Sequence, residues 1–197
     1  MNQALFQKID AIYRPSILNV DVVQPKRLMV LLSGPSSSGK TTLAKQLEEH
    51  FLAIRLENDA VRRIVKVLYP KKSAGQVSAL MHAYMRRLRI ELVDYIKNCC
   101  WIIDASVDRG YGMYADFAQS FGFTTFLVAM VIPEDIHLDW VTSKGAYPWG
   151  SLEKAKQLMT EYRADQDAFL AIQEPDLVLH PDYDICTVFE RLENIEY

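Results

Sequence analysis

Short apolar runs alternate with stretches of helical spacing along most of this chain. Residues 27–33 read Leu-Met-Val-Leu-Leu between Arg27 and Ser33, with no polar alternation, as a strand covered on both faces would. Residues 41–49 carry Leu43, Ala44 and Leu47 on one helical face. A second strand is expected in 51–56. A helix should follow from about Ala60, with Val61, Ile64, Val65 and Leu68 on one side, ending at Tyr69-Pro70. After a loop over 71–75, residues 77–97 show Leu80, Tyr84, Leu88, Leu92 and Ile96 four apart, a long helix. The run 99–104 predicts a third strand, 108–120 a helix, 124–131 a fourth strand, 152–172 a helix, 177–180 a fifth strand and 184–193 a closing helix. Residues 133–150, with Pro, Gly and three aromatic residues, read as a loop or mobile segment. Before the first strand, residues 2–11 suit a short helix, while Tyr13-Arg14-Pro15 and Gln24-Pro25 read as irregular chain. The alternation predicts one α/β domain over residues 27–197, with a mostly parallel five-stranded sheet, behind an N-terminal extension of residues 1–26.

Composition narrows the function classes. With half of its 197 residues apolar, the chain can bury a core of its own. Its formal net charge of -3 argues against a nucleic-acid partner, which calls for a basic surface. The three cysteines, Cys99, Cys100 and Cys186, form neither a zinc spacing nor a disulfide framework. Adjacent cysteines in an apolar run suit small core residues in a reducing setting. Residues 1–8 lack a signal-peptide pattern, and the longest apolar run, 124–133, is too short to span a bilayer. A cytoplasmic protein without a membrane partner is expected. Nothing in the sequence speaks to its oligomeric state.

The chemistry enters at Gly34-Pro35-Ser36-Ser37-Ser38-Gly39-Lys40-Thr41, followed by Thr42. The spacing Gly-x-x-x-x-Gly-Lys-[Ser/Thr], between an apolar strand and a helix, is that of a phosphate-binding loop. Gly34 and Gly39 let the backbone turn and approach phosphate. Consecutive N–H groups and the helix N-terminus supply a positive cradle. Lys40 is expected on the β- and γ-phosphates and the Thr41 hydroxyl on Mg²⁺, with ATP as the bound nucleotide.

The loop and its surroundings resemble the P-loop small-molecule kinases. Within them the chain is most similar to the AAA-type kinase-like group that includes the zeta toxins and chloramphenicol phosphotransferase. That group has an Asp followed by an Arg at the start of a helix after the second strand, matched here by Asn58-Asp59-Ala60-Val61-Arg62. The resemblance covers roughly residues 27–132 and implies a three-layer P-loop NTPase fold. It also implies that Asp59 contacts the phosphoryl acceptor. Asp59 lies at the carboxyl edge of the sheet, where it can orient a hydroxyl and take its proton; it can equally cap the helix, with Asn58 as rival cap and Glu57 as rival base. Arg62 either holds an anionic group or lies on a solvated face.

Asp104 ends the third apolar run, where a carboxylate either supports Mg²⁺ or caps a turn. Ala105 follows it, where hydrolysing relatives often carry a Glu, which tilts the chemistry toward transfer. Arg109 can reach acceptor or phosphate, or pair with Asp108. Arg86, Arg87, Arg89 and Lys97 form a basic stretch that reads first as a solvated helix face and second as a pocket for an anionic acceptor. A closing lid is expected within residues 133–163. Its early part offers only Lys144 and His137, with Lys154, Lys156 and Arg163 beyond, and Tyr147-Pro148-Trp149-Gly150 as a cover for a base or an apolar acceptor. The expected function is an ATP- and Mg²⁺-dependent phosphotransferase for a small-molecule acceptor, with catalytic candidates Lys40, Asp59, Arg62 and Arg109. The alternative is a nucleotide-binding regulatory ATPase or switch working through a protein partner.

Overall fold

The structure, a computed structural model, describes residues 3–18, 27–95, 99–143 and 151–195. The first strand, β1 (Leu28–Ser33), lies between β3 (Trp101–Ser106) and β4 (Thr124–Met130). With β2 (Ile54–Glu57) outside β3 and β5 (Leu177–Leu179) outside β4, the order is β2-β3-β1-β4-β5, and every pair is parallel. The unalternating apolar runs have their explanation here. Met29, Leu31, Trp101, Ile103 and Leu127 join the core on one face of the sheet. Leu28, Val30, Leu32, Ile102 and Val128 join the core on the other.

The helices divide between those two cores. The second face is covered by α2 (Lys40–Phe51) and α8 (Ile185–Glu193), through Leu43, Leu47, Val188 and Leu192. The first face is covered by α1 (Gln3–Leu18), α3 (Asn58–Leu68), α4 (Ala74–Tyr95) and α5 (Tyr111–Phe121). The chain forms an α/β sandwich of helix, parallel sheet and helix, as P-loop NTPases do. Cys99 and Cys100 are buried in it, and burial pushes the Cys99 thiol up to about 12.

The local expectations need four corrections. Tyr13-Arg14-Pro15 is helix, because α1 runs on through Pro15 to Leu18. Leu5, Phe6, Ile9, Tyr13 and Ile17 fall on one face and bury into the core, and that burial outweighs the lost proline N–H. The second strand starts three residues late. Phe51 closes α2 with its ring in the core, and Leu52 caps the helix in the left-handed conformation at φ 48°. Residues 133–150 are not all loop: α6 (Glu134–Ser143) fills the first part and packs Val141 on Ala155 and Met159 of α7 (Leu152–Leu170). Pro133 stands just before that helix and acidic Glu134 and Asp135 occupy its first turn, a start signal that the nearby Gly and aromatic residues obscured. Finally, Arg89 is no solvated residue. It is 3% exposed, its guanidinium 4.9 Å from the centre of the Tyr114 ring.

Candidate functional site

Gly34 leaves β1 at φ +142° and Gly39 enters α2 at φ +94°. A Cβ on Gly34 would stand 2.9 Å from Ser38 Oγ and 3.1 Å from the Met130 carbonyl oxygen, so only glycine fits. Between them Ser37 is held at φ 65°, a conformation that costs a non-glycine residue roughly 1–2 kcal/mol. The loop curls around its own lysine: Lys40 Nζ donates to the carbonyls of Gly34 (2.8 Å) and Pro35 (2.5 Å) and lies 3.3 Å from Ser38 Oγ. From outside, the buried His137 of α6 bonds the Ser36 carbonyl through Nε2 at 2.6 Å.

β3 brings the second chemical group. Its register with β1 runs Leu31 to Ile103 and then Leu32 to Ser106, so Asp104 and Ala105 drop out of that ladder, while Asp104 stays paired with Glu57 of β2. Such an irregularity bends a strand and re-aims its side chains. Here the Asp104 carboxylate meets α2: Thr41 Oγ1 donates to Oδ1 at 3.0 Å. The other oxygen accepts from Arg55 at 2.8 Å. Burial pushes the Asp104 carboxyl above its ordinary range, against the pull of Arg55 and Thr41.

Among the described residues no group of three or more His, Cys, Asp or Glu could hold a metal ion. Thr41 and Asp104 nonetheless fit Mg²⁺, which takes hard oxygen donors and commonly keeps only one or two protein ligands beside phosphate and water. The paired hydroxyl and carboxylate, at the mouth of the loop, have that chemistry.

A cleft of about 720 Å³ joins the parts. Gly34, Ser36, Ser37, Gly39, Lys40, Thr41 and Thr42 line it from the loop and the start of α2, with Asp104 from β3, Asp59 and Arg62 from α3, and Arg109 after β3. Pro35 and Ser38 are buried behind the loop and do not line it. Asp59 makes no cap for α3. It lies in the first helical turn, two-thirds exposed, paired with Arg62 one turn on. Arg109 pairs with Asp165 of α7 and faces the Tyr162 ring, while Asp108 accepts from Ser106 Oγ at 2.7 Å and from the Gly34 N–H at 3.4 Å.

Several expected contributors lie elsewhere. Arg86, Arg87 and Arg89 do not line the cleft; Arg87 pairs with Asp10 of α1 and with Glu91. Arg163 donates to the Ile132 carbonyl at 2.7 Å. Lys97, Lys144 and residues 147–150 lie outside the described residues. Other cleft residues escaped the sequence reading. Ser78 and His82 come from α4, and the His82 imidazole is held below its ordinary value by burial and by the nearby charges of Arg62 and Arg89. Asn58, expected only as a rival cap, is instead the first residue of α3 after Glu57 and lines the cleft, 8% exposed, with its Oδ1 buried and without a hydrogen-bond partner. Arg55 had one visible signal, a charge inside the strand pattern Ile54-Arg55-Leu56-Glu57.

The fold has many solved counterparts. The chain is similar to a structure from the PezAT chromosomal toxin–antitoxin system of Streptococcus pneumoniae, at TM-score 0.69 and 15% identity, covering 93% of this chain and 79% of that one. It is similar to APS kinase CysC of Mycobacterium tuberculosis, solved with AMPPNP and APS, at TM-score 0.54 and 19% identity, covering 86% and 99%. A tunicamycin resistance protein of Deinococcus radiodurans gives TM-score 0.56 and 17% identity, covering 85% and 94%. At these identities the likeness is one of fold. No curated protein matches the sequence. A family profile described as AAA domain matches residues 29–166, most of the chain and all of the phosphate loop, and the chain belongs to that family.

Proposed function

We propose that this protein is an ATP-dependent phosphotransferase acting on a hydroxyl or phosphate of a small-molecule acceptor, in the manner of the zeta toxin and chloramphenicol phosphotransferase group. One observation carries the reading: a single cleft is lined by the phosphate loop, by the Thr41–Asp104 pair and by Asp59. Backbone N–H groups of residues 34–42 and the N-terminus of α2 cradle the triphosphate. Lys40 exchanges the loop carbonyls for β- and γ-phosphate oxygens. Thr41 and Asp104 would hold Mg²⁺, which supplies charge neutralisation between the phosphates.

Asp59 orients the acceptor hydroxyl and takes its proton. Its exposure and its place in the first turn leave the carboxylate open to the cleft. Arg62, paired with it one turn on, aims that carboxylate. Arg109 supplies positive charge to the transferring group after parting from Asp165, a short move for an arginine on a turn. Ala105 after Asp104 leaves no second carboxylate there to prepare a water. The reading is tested by incubating the purified protein with Mg²⁺, ATP and a metabolite library and following labelled phosphate into products. Acceptor-dependent turnover is expected, and Asp59→Asn should lower it by about 10²- to 10⁴-fold. Turnover stimulated by no acceptor and unchanged in Asp59→Asn overturns the reading; stimulation by a protein partner alone favours the regulatory ATPase.

A further inference from the structure

We propose that Arg55 is a built-in counter-cation that keeps the Thr41–Asp104 corner closed to a free divalent ion, so that metal enters only with nucleotide. The inference rests on the reading of that corner as the metal support.

Arg55 is anchored on all sides. Its side chain is 15% exposed, and it donates to Glu48 of α2 at 2.6 Å, to Glu57 at 2.9 Å and to Asp104 at 2.8 Å. The Asp104 side chain beside it is 3% exposed. The other Glu57 oxygen takes Arg63 of α3, at 2.6 Å. The Glu57 backbone is fixed from α1, because its N–H donates to Tyr13 Oη at 2.8 Å. Leaving this place would break three charge-assisted bonds at once.

That arrangement commits both oxygens of Asp104. Asp104 has two oxygens: one accepts from Thr41 and the other from Arg55. The guanidinium, its charge divided among Glu48, Glu57 and Asp104, already occupies one of the two oxygens of the carboxylate that the corner contributes. An incoming dication must compete with a firmly held guanidinium for that oxygen and meets its repulsion at close range in a buried setting. A triphosphate on the loop brings several negative charges and further oxygen ligands, which outweigh the repulsion. Arg55 touches no reacting atom in this scheme. It is a positioning residue acting through Asp104, and it makes the metal corner conditional.

The test needs no turnover. Mn²⁺ binding to the full chain is followed by electron paramagnetic resonance without nucleotide. The wild type should bind weakly and Arg55→Gln at least about tenfold more tightly, because one positive charge is gone. Arg55→Lys, which keeps the charge, should stay within about threefold of wild type. Adding Asp104→Asn to Arg55→Gln should cancel the gain. Circular dichroism checks the fold. Where Arg55→Gln does not fold, Arg55→Gln with Glu48→Gln leaves one fewer orphaned carboxylate and carries the same expectation. The proposal is overturned if removing the charge brings no tighter Mn²⁺ binding, or if the gain survives Asp104→Asn. Mn²⁺ with AMPPNP and the wild type separates the two readings: absence of binding there sinks the phosphotransferase reading, while the nucleotide-free comparison still decides the part played by Arg55.

Discussion

Gly34 and Asp104 show how narrow the tolerances of this cleft are. A methyl group on Gly34 would press on Ser38 and the Met130 carbonyl in a backbone conformation that suits glycine. Gly34→Ala should therefore cost about 1–3 kcal/mol of stability, read by urea unfolding, and weaken ATP binding, read by calorimetry. Asp104 makes the opposite trade. Its carboxyl is raised in the folded chain, so its contribution to stability is complete below the unfolded value and lost as pH rises through the folded one. At neutral pH the buried charge works against the fold. Asp104→Asn should melt no lower than wild type at pH 7, with its advantage shrinking toward pH 4, while phosphoryl transfer is lost. A clearly lower melting temperature at pH 7 would contradict this. The residues carrying this chemistry were legible because the loop spacing and the end of an apolar run are local patterns. Arg55 was not, since its place at the site comes from Asp104, a partner far away in sequence.

Helices α1 and α6 were the hard elements to read, and for the same reason: each is decided by what it covers. A proline at position 15 argues for a break, yet the burial of Tyr13 before it and Ile17 after it holds α1 together across it. α1 is pinned to α4 further by Arg14 on Glu91, by Arg87 on Asp10 at 3.5 Å and by Tyr84 Oη on Asp10 at 2.8 Å; Arg87 and Arg14 together hold the Glu91 carboxyl below its ordinary range despite the opposing effect of burial. Ile9 is fully buried in this interface. Ile9→Ala should cost about 2–5 kcal/mol in urea unfolding, as large-to-small changes in a packed core do; a loss below about 0.5 kcal/mol would mean that α1 adds little to the core. α6 matters for a different reason. Through His137 it touches the phosphate loop directly, so a helix hidden in an apparent loop supports the nucleotide side of the cleft.

At the scale of the whole molecule, the parallel sheet and its two cores followed from periodicity alone, since each central strand feeds both faces. The three-dimensional closing of the cleft did not, because it depends on pairs such as Arg109 with Asp165 that lie far apart in the chain. A ligand that bridges these walls should tighten the whole fold. AMPPNP with Mg²⁺ at a hundred times its Kd should add about 2.7 kcal/mol, a rise in Tm of several degrees, with little rise in Lys40→Ala; equal rises in both would place the nucleotide elsewhere. The irregular register at Leu31 and Leu32 has a further consequence. Asp104 leaves the central ladder there and takes its position from β2, a four-residue strand at the edge of the sheet. The corner that would hold the metal is thus tied to the rim of the sheet and not only to its middle, and the hydrogen bond from the Glu57 N–H to Tyr13 Oη fastens that rim to α1.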